Sequence, residues 1–275
     1  GFCILGGVFD SMARFCTLFS GSSGNSTYLS GSDTAVLVDA GRSCKQLLQA
    51  MEARQIDPRS LAAVLVTHEH VDHVSGLKVL LKKLKLPVYA SPEVLEKLRW
   101  DGRLPEGQET HAVDPAQPFT VGSLEVECFD TPHDSVHSLG YRITTPDGLR
   151  LAVATDMGYI SEQVRQVLTG SDLVLLESNY ESSLLSLCDY PYYLKRRIAS
   201  NTGHLSNDSC AQELVRLVRT GSTRLILGHL SENSNTPENA YQASACALEL
   251  SGLREGLDYT LEVAPRHGPS RMVAL

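Results

Sequence analysis

Residues 67–73 read Thr-His-Glu-His-Val-Asp-His, and no other segment constrains the fold of this chain as strongly. The segment directly follows the apolar run 62–66, and a short run of this kind is typical of a buried strand. Three imidazoles and a carboxylate on a loop that leaves a strand can converge on a small volume. Neutral imidazole and carboxylate are ligands that zinc, manganese and iron accept. The segment therefore predicts a metal site at the end of a strand.

The spacing of this motif differs from that of the zinc-binding helix of metalloproteases. That helix carries a second histidine four residues after the first, whereas the fourth residue after His68 is Asp72. A lone buried histidine is usually a core residue with a satisfied hydrogen bond. His68, His70 and His73 beside one carboxylate are not explained in that way, and we interpret all four residues as metal ligands.

The remainder of the chain alternates strand-like and helix-like segments. Short apolar runs flanked by Gly, Ser, Asp or Pro predict strands at 15–19, 35–38, 62–66, 124–129, 140–144, 149–154, 173–176, 224–227 and 259–263. Apolar residues that recur every three or four positions, together with helix-favouring composition, predict helices at 45–54, 77–84, 161–168, 208–219 and 237–250. Strands occur both in pairs and singly between helices. This order indicates a mixed sheet, or two sheets, covered by helices.

Length and composition are those of a globular protein. The 275 residues, 42% hydrophobic and 20% charged, suit one large domain or two small ones and exclude disordered and collagen-like classes. Since no linker or repeat interrupts the chain, we predict a single domain, of a size common among hydrolases, over residues 12–275. Residues 1–11 are interpreted as an upstream extension or a remnant of cloning, with Met12 as the natural start. The tail 264–275 is expected to pack loosely.

Charge and cysteine content limit the class of protein and the cellular compartment that the sequence allows. The chain has 24 basic and 32 acidic side chains, a net charge of −8, which disfavours a protein whose whole surface grips nucleic acid. A narrow basic lane on an acidic body is compatible with this balance. The seven cysteines are scattered and never spaced as CxxC, as expected for reduced thiols in a cytoplasmic protein. The sequence predicts no membrane-spanning segment and gives no indication of the oligomeric state.

The HxHxDH motif and the polar residues that follow other strands resemble the metallo-β-lactamase fold superfamily. The further matches stand in the order of that family and near strand ends: Asp39 after Val-Leu-Val, His133 in Asp-Thr-Pro-His-Asp, Asp156 in Ala-Val-Ala-Thr-Asp, and His229 in Leu-Ile-Leu-Gly-His. The resemblance covers essentially the whole chain. It implies an α/β (α+β) fold, a four-layer αββα sandwich with a dinuclear metal site at one edge.

This resemblance also implies the ligand set. Two divalent metal ions are expected, zinc in the first place and manganese as the alternative. One ion would be held by His68, His70 and His133, the other by Asp72, His73 and His229, with Asp156 shared and Asp39 bracing the HxHxDH loop. Two such ions activate a bridging water, so the implied nucleophile is a metal-bridging hydroxide that Asp72 positions. A shared aspartate counts against β-lactam as the natural substrate, because lactamases of this fold generally lack it.

Three further segments bear on the substrate. Ser-Gly-Ser-Ser-Gly-Asn-Ser-Thr from position 20 offers Ser23 to Asn25 to an anion, or is an ordinary hairpin turn. Gly-His-Leu-Ser-Asn-Asp-Ser from position 203 caps a helix and places His204 beside a natural phosphate site, unless that histidine is incidental. Leu-Lys-Arg-Arg-Ile from position 194 offers Arg196 and Arg197 to phosphate, or is a solvated helix face.

Together these segments look like the YycJ/WalJ-type, exonuclease-like branch of the superfamily. The His-Leu-Ser at 204–206 is also similar to the His-Ser-Thr helix start of tRNA-processing zinc phosphodiesterases. The resemblance implies a DNA exonuclease of 5′→3′ direction, with Asp72 and His204 catalytic, a nucleic acid as the partner and no membrane. The alternatives are a small-molecule metallohydrolase, acting on a cyclic phosphodiester, a thioester or weakly on a β-lactam, and a non-catalytic metal-binding scaffold.

Six residues outside this set complete the prediction. Glu177 ends an apolar run, and we predict that it supports the site through hydrogen bonds rather than by direct catalysis. His111, His137 and His267 match no ligand position and are predicted to be loop or surface residues. His137 and the pair Asn233-Ser234 depart from the residues usual in the branch, which leaves the substrate detail open.

Overall fold

The computed structural model describes residues 12–275, so the prediction made for residues 1–11 lies outside the described residues. Fourteen strands within 12–275 form two seven-stranded sheets. The first contains β1 (Arg14–Phe19), β2 (Ser26–Ser30), β3 (Ala35–Val38), β4 (Leu61–Leu65), β5 (Val88–Ala90), β6 (Thr110–Ala112) and β14 (Val273–Ala274), in the order β14-β1-β2-β3-β4-β5-β6. The second contains β7 (Phe119–Val121), β8 (Leu124–Asp130), β9 (Leu139–Thr144), β10 (Arg150–Ala154), β11 (Leu173–Glu177), β12 (Arg224–Gly228) and β13 (Thr260–Val263), in the order β13-β12-β11-β10-β9-β8-β7.

Nine α-helices and one 3₁₀ turn, Pro58–Ser60, connect these strands within the same residues. The helices are α1 (Cys44–Ala53), α2 (Val71–Val74), α3 (Leu77–Leu84), α4 (Pro92–Trp100), α5 (Glu162–Leu168), α6 (Ser182–Leu187), α7 (Tyr192–Ile198), α8 (Asn207–Arg219) and α9 (Pro237–Leu250). None of the helices in this part of the chain combines the length and the apolar character needed to span a membrane.

Three buried apolar clusters define four layers. The inward faces of the two sheets meet in one cluster, to which Phe15 and Tyr141 contribute the largest side chains. The outer face of the first sheet packs against α1, α3 and α4 through residues such as Leu47. The outer face of the second sheet packs against α5, α8 and α9 through residues such as Leu214. This confirms the predicted αββα sandwich, in which each sheet buries one face on the other sheet and one on helices.

Strand direction determines where polar residues collect. β3 to β6 run parallel in the first sheet, and β10 to β13 run parallel in the second. The carboxyl ends of parallel strands lie at one edge of a sheet, where open α/β sheets form their ligand sites. Asp39, His68, Asp156 and His229 all follow such strands closely, and Glu177 is the last residue of β11. The fold therefore brings these side chains to the same edge.

Every predicted strand and helix within the described residues is present, with bounds that differ by one residue at most. The elements that the sequence reading missed are short or polar, as in β2, whose residues include the end of the Ser-Gly-Asn segment. The expectation of a loosely packed tail is wrong. β14 pairs antiparallel with β1, Arg14 facing Ala274, and Arg54 donates hydrogen bonds to the carbonyls of Pro269 and Ser270. The domain assignment for 12–275 stays a prediction.

Candidate metal centre

Strained backbone marks the places where the chain leaves the strands. Asp39, Asp156 and His229 have φ angles of 63°, 60° and 55°. They are three of the five non-glycine residues with positive φ among residues 12–275. A left-handed conformation is uncommon outside glycine, and such strain costs on the order of 1–3 kcal/mol per residue. The surrounding fold holds these three side chains in directions that an ordinary strand-to-loop connection would not give them.

The first half of the HxHxDH motif and His133 form one group of imidazoles. His68 Nε2 and His70 Nδ1 lie 3.1 Å apart, and one ring nitrogen from each of these and of His133 lies within 4.8 Å of the others. His133 Nδ1 is 2.9 Å from the carbonyl oxygen of Gly203. Because a carbonyl only accepts, Nδ1 carries the proton and Nε2 keeps its lone pair for a metal.

The second half of the motif lies in a short helix, α2, and not in a loop as the sequence reading expected. Asp72, His73 and His229 form a second group whose ligand atoms also lie within 4.8 Å of one another. His73 Nε2 is 3.5 Å from Asp72 Oδ2, and His229 Nε2 is 3.6 Å from the same oxygen. The geometry thus brings together the three residues predicted for a second ion.

The carboxylate of Asp156 lies between the two groups. One oxygen is 3.3 Å from His73 Nε2, while the other is 3.5 Å from His229 Nε2 and 3.8 Å from His133 Nε2. Asp156 Oδ2 and His229 Nε2 are both buried and form no hydrogen bond. Buried polar atoms without a partner are rare in proteins. A divalent cation on each side of Asp156 would satisfy them, so the residues present fit two metal ions.

Charge in the metal-free centre is balanced by protons. Burial holds the pKa of His68 and His133 below the usual value, so both rings are neutral and have lone pairs to offer. For His73 and His229 burial is the largest single influence, but the neighbouring carboxylates, Asp156 foremost, together outweigh it, raising the pKa of His73 and bringing that of His229 to about 10. These protonated rings in turn hold the pKa of Asp156 below its ordinary value despite its burial. Divalent ions would replace those protons.

Two buried residues, Asp39 and Asn25, contact the proposed ligands on the side away from solvent. Asp39 accepts hydrogen bonds from Thr67 N–H at 2.8 Å, from Thr67 Oγ1 at 2.8 Å and from His73 Nδ1 at 2.7 Å. This is the bracing role predicted for it. Asn25, predicted to bind substrate, is buried, with its side-chain amide nitrogen 3.1 Å from His73 Nε2 and 3.4 Å from Asp72 Oδ2. It faces the ligands and is turned away from solvent.

Glu177 and His204 form a hydrogen-bonded pair beside the centre, and His204 is the member that reaches solvent. Glu177 is fully buried, and one of its oxygens lies 2.7 Å from His204 Nδ1 and 2.9 Å from His229 Nδ1. Its other oxygen accepts from the N–H groups of Met157 and Leu205. These contacts agree with the predicted supporting role. The ring of His204 lies 5.1 Å from that of His133, and its side chain is 16% exposed, so Nε2 is left for a group outside the protein.

The remaining candidate substrate residues lie at the rim. Ser23 is exposed and donates to Glu232, 3.2 Å away. Arg197 pairs with Asp134, next to His133 in the chain, through a contact of 2.9 Å. Arg196 lies on α7 outside the two imidazole groups. Their role in substrate binding stays a prediction.

The other histidines lie elsewhere. His137 sits between Glu93 and Asp130, His111 pairs with Glu109, and His267 pairs with Glu232. None belongs to a cluster of potential metal ligands within residues 12–275, which agrees with their predicted placement.

Sequence reasoning missed Thr67, Arg42 and Asn179. Thr67 bonds Asp39 and both neighbouring imidazoles, and its polar side chain at the end of an apolar strand was an available signal. Arg42 donates to Ser23, and its buried Nε has no partner. Its position three residues after Asp39 could have drawn attention to it. Asn179 donates to the carbonyl of His229 at 2.7 Å, and no pattern in the sequence indicates this contact.

Replacing Asp39 with asparagine is expected to weaken metal binding by about 10- to 100-fold without removing a ligand. The amide can no longer accept on both sides, so it loses either the His73 or the Thr67 hydrogen bond. Titration with a competing chelator measures the affinity. Asp101→Asn, at an exposed carboxylate paired with Lys97, is the matched control and should bind metal like the unaltered protein. Equal affinities for both variants would contradict the bracing role.

Comparison with known proteins agrees with this architecture. A family model described as Beta-lactamase superfamily domain matches residues 34–230. Exodeoxyribonuclease WalJ of Streptococcus pneumoniae serotype 2 (strain D39 / NCTC 7466) is 33% identical over 249 residues, 90% of this chain and 92% of that protein. Exodeoxyribonuclease YycJ of Bacillus anthracis is 33% identical over 244 residues, 88% of this chain and 92% of that protein.

Solved structures give the same fold. The metallo-β-lactamase fold protein YhfI from Bacillus subtilis superposes with a TM-score of 0.71 at 18% identity, covering 96% of this chain and all of that one. At this identity the likeness concerns the fold alone. The family model and the nearly end-to-end match to two relatives go further, and this chain belongs to the metallo-β-lactamase fold superfamily, in the branch that contains WalJ and YycJ.

Proposed function

We propose that this protein is a dinuclear metal-dependent phosphodiesterase that degrades DNA as an exonuclease. It is a metal-dependent hydrolase of the nuclease class, and a nucleic acid is its substrate. The observation that carries the finer proposal is the position of Asp156, whose two oxygens lie within 3.8 Å of ring nitrogens of both imidazole groups. The names of the two relatives support DNA as the substrate.

The ligand set is proposed as predicted: His68, His70 and His133 for one ion, Asp72, His73 and His229 for the other, and Asp156 for both. Zinc is the first expectation and manganese the alternative. When bound, two such ions lower the pKa of a shared water and neutralise charge on the phosphate oxygens. The protein's part is to orient the imidazoles, which the hydrogen bonds of Asp39, Glu177 and the Gly203 carbonyl do.

Asp72 and His204 carry the proposed chemical roles. The Asp72 side chain is 26% exposed, and its Oδ2 faces both His73 and His229, so it can accept a hydrogen bond from the attacking water and orient it. His204 is anchored through Nδ1 to Glu177, which directs Nε2 toward the substrate side. From there it can protonate the leaving oxygen of the phosphodiester.

The remaining parts of the proposal concern substrate binding, the direction of degradation and the cellular compartment. Ser23, Arg196 and Arg197 are proposed to contact the nucleic acid backbone, and Asn25 to hold Asp72 and His73. We propose that degradation runs in the 5′→3′ direction, as the resemblance to the exonuclease-like branch implies. The protein is proposed to act in the cytoplasm, since all six cysteines of residues 12–275 are free thiols.

Nucleic acids labelled at the 5′ or the 3′ end test the function. Metal-loaded protein is expected to shorten linear DNA stepwise from the 5′ end, to release mononucleotides, and to lose this activity with a chelator. Covalently closed circular DNA is the matched control, because an exonuclease needs an end. Faster degradation of RNA of the same sequence would contradict DNA as the substrate. Hydrolysis of a thioester or a lactam without any cleavage of nucleic acid would overturn the proposal.

A further inference from the structure

Helices α6 and α7 border a groove outside the metal centre. Its volume is about 640 Å³, and its walls include Tyr180, Tyr190, Tyr192, Lys195 and Arg196. Apolar groups contribute most of its surface, although two cationic side chains stand on one wall. The ligand clusters described above do not use any of these residues.

Aromatic rings on this helix are unusually open to solvent. Tyr192 is 75% exposed and its neighbour Tyr193 is 74% exposed. The guanidinium carbon of Arg196 lies 6.0 Å from the centre of the Tyr192 ring, within cation–π range. A flat ring with a cation at its face, both accessible, is suited to a ligand that is itself flat and negatively charged.

Within residues 12–275, no carboxylate neutralises the two cations of the groove. Arg197 pairs with Asp134, whereas Lys195 and Arg196 form no ion pair with a carboxylate of the described residues. Lys195 Nζ instead donates to the carbonyl of Ser186 at 2.7 Å. On a chain with net charge −8, two free cations beside exposed rings select an anion with an aromatic part. Nucleotides combine both features, since bases stack on aromatic side chains and phosphates bind Lys and Arg.

The groove also connects directly to the metal centre. The carbonyl of Ile198, at the end of α7, accepts the N–H of His204 at 2.8 Å. Tyr190 accepts a hydrogen bond from Asn233, in the loop after His229, at 2.7 Å. At a rise of about 1.5 Å per residue, Tyr192 lies about 9 Å along α7 from Ile198. At about 3.4 Å per nucleotide in a stacked strand, this length of helix alone corresponds to more than two nucleotides, and the step from Ile198 to the metal centre adds to it.

We propose that this groove is a subsite for single-stranded DNA. A base several nucleotides from the cleaved phosphate stacks on Tyr192, while Lys195 and Arg196 contact the backbone phosphates beside it. The inference rests on the proposed function and specifies the form of its substrate: a paired base inside a duplex cannot present its face to the ring, so a duplex end must separate by several nucleotides to be bound. It also explains how an acidic protein can hold DNA through a short lane of aromatic and basic side chains.

A fluorescent base analogue tests the subsite on the metal-loaded protein. The probe is a short oligothymidine with a hydrolysis-resistant phosphorothioate backbone, carrying 2-aminopurine at successive positions from its end. One position, several nucleotides from the end, is expected to lose fluorescence through stacking, whereas the positions on either side of it change less. Tyr192→Ala should abolish that change and weaken binding about 5- to 30-fold, while Tyr192→Phe should bind like the unaltered protein. Arg196→Gln should reduce the slope of log affinity against log salt by about 0.7.

Trp100→Ala is the matched control, because Trp100 is 87% exposed on α4, away from the groove. Metal content and melting temperature verify that each variant is folded. Unchanged binding by Tyr192→Ala, or an equal loss in Trp100→Ala, overturns the subsite. Tighter binding of oligouridine than of oligothymidine overturns its assignment to DNA. Since binding is measured without cleavage, absence of nuclease activity would reject the proposed function alone, and DNA cleavage without dependence of binding on Tyr192 would reject the subsite alone.

Discussion

Replacing Asp156 with asparagine is expected to lower the rate of DNA hydrolysis by about 10³-fold or more and to remove one of two bound metal ions. The substitution preserves the shape of the side chain but converts one oxygen into an amide nitrogen, which cannot bind a metal. Both oxygens of Asp156 face ring nitrogens of proposed ligands. Neither orientation of the amide can therefore serve both ions.

Stability gives a second measurement of the same effect. A ligand that binds only the folded state stabilises it by about 2.7 kcal/mol when present at 100 times its Kd. Excess zinc should therefore raise the melting temperature of the unaltered protein and raise that of Asp156→Asn much less. Asp101→Asn, the exposed control, should respond to zinc like the unaltered protein. Two metal ions per chain in Asp156→Asn, counted by elemental analysis, would contradict the shared-ligand assignment.

Most residues of the proposed centre lie where apolar strands end. A buried parallel strand is a short continuous apolar run, and its carboxyl end is where the first polar residue appears. His68 stands out from the sequence through the HxHxDH motif, whereas Asp39, Asp156 and His229 were assigned through the family resemblance. The structure brings all four to one edge of the two sheets, and their positions after parallel strands are the physical reason.

Features that depend on contacts between distant segments could not be predicted from the sequence. Nothing local predicts that Asp39, Asp156 and His229 adopt left-handed backbone, since each is held there by packing around the strand end. The same holds for Asn25, whose setting among Gly and Ser residues is typical of an exposed turn. In the structure its amide contacts His73 across 48 positions of sequence.

The basic segment of α7 contains two adjacent arginines, Arg196 and Arg197, that face different surfaces. Sequence alone left two interpretations open, a solvated helix face or a phosphate contact. In a helix, residues three or four apart share a face. Arg197 is directed to Asp134 at the metal edge, whereas Arg196 lies with Tyr192 on the groove. Two neighbouring arginines thus face different surfaces, which only the helix orientation reveals.

Replacing His204 with alanine is expected to slow DNA cleavage by about 10²- to 10⁴-fold while both metal ions stay bound. The expectation follows from the anchoring of Nδ1 by Glu177, which leaves Nε2 to protonate the leaving oxygen. His204 also lies in a cluster with Asp156, Glu177 and His229 that could itself hold a metal ion. Metal content therefore separates the two roles, since loss of an ion in His204→Ala would make this histidine a ligand.

A change of leaving group distinguishes a general acid from a residue that binds or orients the phosphate. In DNA with a sulfur in place of the bridging leaving oxygen, the departing thiolate needs no proton, because thiols have a pKa near 8.5 and alcohols a far higher one. His204→Ala should cleave this sulfur substrate within about tenfold of the unaltered protein, as expected for loss of an acid alone. His111→Ala, at an exposed histidine paired with Glu109, should cleave both substrates normally. An equally large loss on oxygen and sulfur substrates would show that His204 binds or orients the phosphate, because a general acid matters only where the leaving atom must be protonated.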